Sequence, residues 1–173
     1  MLEHIDVYNS ELPEGQRLFG RTITVINRSE VVGRPLAALL ANDGARVYSA
    51  DENGLLEYHR GDNLALPRHQ VFETIVTLNE ALAMSDTVIT GVPSPAYKLD
   101  ASLLKPGVVA VNFSTFKNMG QDVRDKASVF VPSVGKVTIA MLQRNLLRLA
   151  TAQQDALKVQ EGQSSIQSLA LGV

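Results

Sequence analysis

The stretch Thr22-Ile23-Thr24-Val25-Ile26, followed by Asn27-Arg28-Ser29-Glu30-Val31-Val32-Gly33-Arg34-Pro35, decides the fold. Its first five residues are β-branched and almost wholly apolar. Such a run suits a parallel strand buried on both faces, because one-sided burial leaves an alternation of apolar and polar residues. Gly33 and Pro35 lead into a helix over Leu36 to Ala41, which Asn42-Asp43-Gly44 stops. Ala45-Arg46-Val47-Tyr48-Ser49-Ala50 reads as a second strand, ending at Asp51. Together these occupy roughly 30 residues, the size of a βαβ unit.

The alternation resumes downstream. Leu78 to Met84 reads as a short helix, and Asp86 to Thr90 as a strand running into Gly91-Val92-Pro93-Ser94-Pro95. Ala101 to Leu104 is a helical turn, and Val108 to Phe113 and Ser128 to Val131 are strands. Val137 to about Val159 shows helical spacing, with Ile139, Leu142, Leu146, Leu149 and Ala156 on one stripe. Strands alternating with helices predict an α/β fold, a doubly wound parallel sheet of the Rossmann type in a single domain. Asn9 to Gly20 reads as a loop, and Glu52 to Thr77 as an excursion with partial order. Leu2, Ile5, Val7 and Tyr8 read as the last turns of a helix that begins upstream. The expected organisation is thus a helix end and linker over 1–20, the Rossmann-type domain over 21–150, and a helix end with a tail, loose from Gly162, over 151–173.

Composition excludes several functions. With 45% hydrophobic residues in 173, the chain has enough apolar material for one packed domain. A net charge of −2 leaves no electrostatic footprint for nucleic acid or a membrane surface. The absence of cysteine rules out disulfides, thiolate metal sites and a cysteine nucleophile in these residues, and fits a reducing, cytoplasmic compartment. His4, His59 and His69 share no metal-ligand spacing, so they read as surface histidines and no metal is expected. No apolar run approaches the roughly 20 residues of a membrane span.

Doubly wound sheets bind ligands beyond the carboxyl ends of their strands. That rule singles out four loops: Asn27 to Pro35, Ala50 to Asn53, Gly91 to Pro95 and Phe113 to Asn118. In the first, Gly33 offers room for a pyrophosphate at a helix N-terminus, and Arg28 and Ser29 offer donors. The three-glycine fingerprint is absent, and a plain strand-to-helix turn accounts for the same residues. Asp51 sharpens the reading. An acidic residue ending the second strand accepts hydrogen bonds from a ribose 2′-hydroxyl and repels a 2′-phosphate, which favours NAD over NADP. A turn aspartate ahead of Asn53-Gly54 is the alternative. Gly91 lets the backbone approach a planar ligand, or else forms a rigid surface turn. Tyr97 and Lys98 suggest an acid/base pair, but neighbours in an extended loop point apart, and no Tyr-x-x-x-Lys spacing occurs. Lys136, beside Gly135 and Thr138, either faces a cofactor or is solvated.

Taken together, Asn27 to Leu36, its continuation through Ala45, Thr90-Gly91-Val92-Pro93-Ser94, Val111-Asn112-Phe113 with Lys117-Asn118, and Gly135-Lys136-Val137-Thr138-Ile139-Ala140-Met141-Leu142 resemble the methylenetetrahydrofolate dehydrogenases, in family order. The longer run, continuing through Ala45, looks like the monofunctional NAD-dependent branch of fungi. The resemblance implies oxidation of 5,10-methylenetetrahydrofolate to its 5,10-methenyl form, with hydride passing to NAD in one-carbon metabolism. It implies a folate substrate for the full-length enzyme, and a homodimer to whose interface the cofactor domain contributes. By position, Arg28 and Ser29 would lie by the cofactor phosphates, Ala50 and Asp51 at the adenosine ribose, Gly91, Val92 and Pro93 along the dinucleotide, and Thr138 near the nicotinamide. Bifunctional relatives carry Gly-Gly-Val-Gly-Pro-Met-Thr before the last helix. Here Ser133-Val134-Gly135-Lys136-Val137-Thr138 stands instead, so no cyclohydrolase activity is expected. Ser114-Thr115-Phe116 also departs from the pattern. The family's folate-binding domain, with its catalytic tyrosine and lysine, precedes the matched region. The chain alone is therefore expected to bind NAD without turning over folate. A non-catalytic NAD-binding or dimerising module is the alternative.

Overall fold

The computed structural model describes residues 1–170, with side chains to Lys158. The chain divides into two units, Met1–Val134 and Gly135–Val173, rather than one. The first is built on a sheet of β1 (Thr22–Ile26), β2 (Arg46–Asp51), β3 (Gly54–His59), β4 (Gln70–Glu73), β5 (Thr87–Thr90), β6 (Val109–Asn112) and β7 (Val129–Val131). Their order across the sheet is β4-β3-β2-β1-β5-β6-β7. β2, β1, β5, β6 and β7 run parallel, as predicted.

Two cores explain why the central strands show no polar face. Along β1, Ile23 and Val25 enter the core that holds Ala37, Leu40 and Ala41 of α1 (Gly33–Asn42). Ile26 enters the other, with Leu82 of α2 (Leu78–Met84). Ile89 and Val88 of β5 divide in the same way, as do Val111 and Ala110 of β6. Burying a side chain such as Leu40 completely contributes roughly 2 kcal/mol. Thr24 keeps a polar atom inside this arrangement because its hydroxyl meets Ser85 Oγ at 2.7 Å, which in turn donates to the Ala81 carbonyl at 2.8 Å. α2 opens on a capping box, in which Glu80 N–H donates to Thr77 Oγ1 at 3.3 Å and Thr77 N–H to Glu80 Oε2 at 2.8 Å.

Four expectations are corrected. The segment after Glu52 is not an irregular excursion: β3 and β4 add antiparallel strands to the β2 edge, so the sheet is mixed. Gly54, at φ 132°, makes the tight turn opposite Asp51, and Tyr58, 5% exposed, anchors β3 in the core. The helical turn at the beginning of the chain covers Leu2–Ile5 alone, a 3-10 turn closed by Asp6 in the left-handed region, so Val7 and Tyr8 lie past its end. α1 begins at Gly33, earlier than Leu36. The last helix, α3 (Gly135–Ala170), begins before Val137 and continues past Gly162, where the sequence predicts a loose tail. Residues 171–173 of that tail lie outside the described residues. α3 is a single helix, and its stripe residues Ile139, Leu142, Leu146 and Leu149 are between 60% and 68% exposed. No described helix is long and apolar enough to cross a membrane.

Candidate functional site

Strand register gathers the expected loops. Ala50, Ile26, Thr90 and Asn112 lie side by side across β2, β1, β5 and β6, so all four loops leave the same edge of the sheet. The chain passes from β1 to β2 on one side and returns to β5 on the other. β1 is thus the topological switch point, where an open α/β sheet leaves a crevice. A cleft of about 490 Å³ lies there. Asn27, Arg28 and Ser29 line it with Asp51, Glu52 and Asn53 on the β1–β2 side, and Leu78, Val92, Pro93 and Tyr97 line the β5 side. Ile26 and Ala50 line it from the strand ends.

The β1–β2 wall is charged. Arg28 Nη2 donates to the carbonyls of Ser49 at 3.1 Å and Gly54 at 2.6 Å, and stands 3.2 Å from Asp51 Oδ1. Its side chain is 9% exposed, and its Nε is a buried donor with no partner among the described residues. Asp51 Oδ1 also accepts Asn53 N–H at 2.8 Å, and among the described residues Oδ2 has no such partner. Arg28 therefore straps the β2–β3 turn to the end of β1. Ser29 serves the start of α1: its Oγ donates to Asn27 Oδ1 at 2.7 Å and accepts the N–H groups of Val32 at 3.3 Å and Gly33 at 3.2 Å. Gly33 is needed for packing. A Cβ there would stand 2.0 Å from the Asn27 carbonyl oxygen, so the room it provides is already filled by the protein's own backbone.

The β5 wall is neutral and fully wired. Gly91 N–H donates to the Ile26 carbonyl at 3.0 Å, and the Gly91 carbonyl accepts Asn27 Nδ2 at 2.7 Å. Val92 N–H donates to Asn118 Oδ1 at 2.8 Å, and its carbonyl accepts Asn118 Nδ2 at 3.1 Å and Ser114 Oγ at 2.9 Å. The planar group that approaches Gly91 is the ring of Phe113, 1.9 Å from where a Cβ would sit. This wall consequently faces the cleft through the side chains of Val92, Pro93 and Tyr97. Burial raises the Tyr97 pKa, so at neutral pH its phenol is protonated. Lys98 turns instead to the Lys117 carbonyl, which separates the two neighbours as expected.

Thr138 belongs to α3, in the second unit. His59 stacks on Phe72 at 4.4 Å and His69 on Tyr58 at 5.8 Å. Among the described residues no cluster of three metal-ligating side chains forms. Sequence reasoning overlooked the part played by Asn27, Asn112 and Asn118. Their position at or just past strand ends was the available signal, since a side-chain amide there can replace a strand partner. A second cleft, of about 450 Å³, is lined from the amino ends of β1, β5 and β6 by Arg21, Asp86, Thr87, Val109 and Lys105. There burial pushes the Asp86 pKa up, but Lys105 at 2.6 Å and the Thr22 N–H at 3.0 Å outweigh it and hold the carboxyl below its ordinary value.

Sequence comparison places this geometry among known proteins. No protein-family model matches the chain. It is 54% identical over 154 residues to the methylenetetrahydrofolate dehydrogenase [NAD(+)] of Saccharomyces cerevisiae, a match covering 86% of this chain and 48% of that protein. The Schizosaccharomyces pombe protein of the same name is 48% identical, with 88% and 48% covered. The bifunctional protein FolD of Leuconostoc citreum is 33% identical, with 79% and 45% covered. The solved structure of the S. cerevisiae NAD-dependent 5,10-methylenetetrahydrofolate dehydrogenase superposes with a TM-score of 0.78 at 52% identity, over 86% of this chain and 48% of that one. The chain spans about half the length of the curated relatives it matches. Over that span it is related in both sequence and fold to the NAD-dependent methylenetetrahydrofolate dehydrogenases.

Proposed function

We propose that the cleft holds the adenosine half of NAD, and that the chain is the NAD-binding portion of a dehydrogenase oxidising 5,10-methylenetetrahydrofolate to 5,10-methenyltetrahydrofolate. The observation that carries this reading is Asp51. It ends β2 at the switch point, lines the cleft, and keeps Oδ2 clear of the bonds that occupy Oδ1. A carboxylate so placed accepts a ribose 2′-hydroxyl and opposes a 2′-phosphate. The lining fits the group in two further respects. Ile26, Ala50, Leu78, Val92 and Pro93 give an apolar slot for a base, and Arg28 Nε is a buried donor with no acceptor among the described residues.

Bound NAD would supply the hydride acceptor. This chain's part is to hold it: Asp51 orients the ribose, Arg28 fixes Asp51 and the turn that carries it, and the β5 wall excludes water from the base. The N–H groups of Val32, Gly33 and Arg34 are already taken by Ser29, so the start of α1 offers the phosphates little of its usual donor set. The folate site and the groups that act on it are assigned to the rest of the full-length enzyme. A homodimer fits the unpaired outer edge of β4, where Val71 is 49% exposed, and Ile75 just beyond it, which is fully exposed.

Fluorescence titration with NADH tests the reading. Saturable binding is expected, with Asp51→Ala weakening it by about tenfold to a hundredfold, the worth of a charge-assisted hydrogen bond. No saturation, or a preference for NADPH, overturns it. Sedimentation of the same sample should show a dimer, and a monomer would remove that part. Folate turnover by the chain alone would show that the catalytic groups are misassigned.

A further inference from the structure

Asn112 and the Lys117-Asn118 pair stand out in the sequence, yet neither lines the cleft. Their geometry gives them a different task. Asn118 is completely buried. Its carboxamide accepts Val92 N–H and donates to the Val92 carbonyl, the two bonds a neighbouring strand would make. Its own main chain is held as well: its N–H donates to the Phe116 carbonyl at 3.0 Å and its carbonyl accepts Leu99 N–H at 2.8 Å. Asn112 seats the loop that carries it. Its Nδ2 donates to the Phe116 carbonyl at 2.9 Å and to the Pro132 carbonyl at 3.1 Å, while its Oδ1 accepts Thr90 Oγ1 at 3.2 Å. The ends of β5, β6 and β7 are thereby joined through two side-chain amides.

We propose that Asn118, whose buried carboxamide pairs with both main-chain groups of Val92, is the positioning residue that sets the Val92–Pro93 wall of the cleft against the dinucleotide. Val92 has left the β5 ladder, so no strand holds it, and a half-buried main-chain pair left without partners is disfavoured. Ser114 Oγ satisfies the carbonyl alone, and among the described residues only Asn118 satisfies both groups. With those groups occupied, Val92 presents its side chain to the cleft, and the depth of that wall depends on Asn118. The inference rests on the NAD reading above and names the residue that makes the neutral wall rigid.

Two variants of the whole chain test it. Asn118→Ala removes both bonds. Asn118→Asp keeps the shape and the acceptor but loses the donor, and sets a second oxygen against the Val92 carbonyl. Protonation restores the donor, and burial raises an aspartate pKa into an accessible range. Calorimetric titration with NAD should show about tenfold weaker binding for N118A. N118D should be similarly weak at about pH 8 and recover most of the loss near about pH 5.5, a pH dependence the parent chain lacks. Amide exchange at Val92, read by NMR without cofactor, should quicken in N118A and change less in N118D, which keeps the acceptor of that N–H, while Ile89 and Val111 stay protected. If N118A does not fold, N118D carries the test, because its bulk is unchanged. Parent-like affinity in the folded variants, or a loss in N118D that ignores pH, overturns the proposal. A parent chain that binds no NAD breaks the functional reading instead, and Val92 exchange then still reports whether the clamp exists.

Discussion

The two walls of the cleft are built on opposite principles. On the β1–β2 side, charge does the positioning: Arg28 reaches across to Asp51 and to the carbonyls of Ser49 and Gly54. On the β5 side, neutral amides position an apolar surface, with Asn27 on Gly91 and Asn118 on Val92. The difference fits the ligand proposed for the cleft. A carboxylate that is to select a ribose hydroxyl would have to be aimed, and a guanidinium can aim it through a short ion pair. A base would need a wall of fixed depth, which hydrogen bonds between uncharged groups supply without adding a field. The charged wall should therefore respond to salt and to charge substitutions, and the neutral wall to changes of shape.

The largest effects are expected where backbone meets backbone. Gly33→Ala forces a methyl group onto the Asn27 carbonyl, which cannot swing aside, and should destabilise the chain by about 3 kcal/mol in urea unfolding. Gly91→Ala meets the far edge of the Phe113 ring, which can rotate away, so the cost should be nearer about 1 kcal/mol and should shrink further in combination with Phe113→Leu. Equal costs at the two glycines would show that the Phe113 ring beside the neutral wall is as immovable as the Asn27 main chain. The smallest effect belongs to Asp86, away from both walls. Its folded pKa is depressed, so its stabilising contribution is present above the unfolded value of about 3.9 and disappears as pH falls through the folded one. Asp86→Asn should flatten the acid limb of the stability profile by well under 1 kcal/mol and leave NADH affinity unchanged. A change in affinity would tie the second cleft to the first.

Much of the fold was legible because the central strands carry their burial in their own residues. β1, β5 and β6 begin and end within about one residue of their expected limits, since an unbroken β-branched run bounded by turn residues has few other ways to pack. β3 and β4 were missed for the opposite reason. Gly54, Gly61 and Pro67 read as breakers, and the partner that orders Gly54–His59 is the exposed edge of β2. Asp51 was found because its place at a strand end is a matter of chain position. The occupants of the space at Gly33 and Gly91 were not found, because the atoms that fill it come from Asn27 and Phe113, and contact between them exists only after folding.

By itself, then, the sequence determined the alternating elements, the edge of the sheet where a ligand would bind, and an acidic residue at the end of β2. These depend on local pattern and on the order of elements along the chain, which survive without knowledge of contacts. The tertiary structure alone decided that Arg28 serves Asp51, that Ser29 takes up the N–H groups where α1 begins, and that two asparagines stand in for missing strands. Each of those roles is set by register across separate strands, which fixes which polar groups are left without a partner once the sheet has closed.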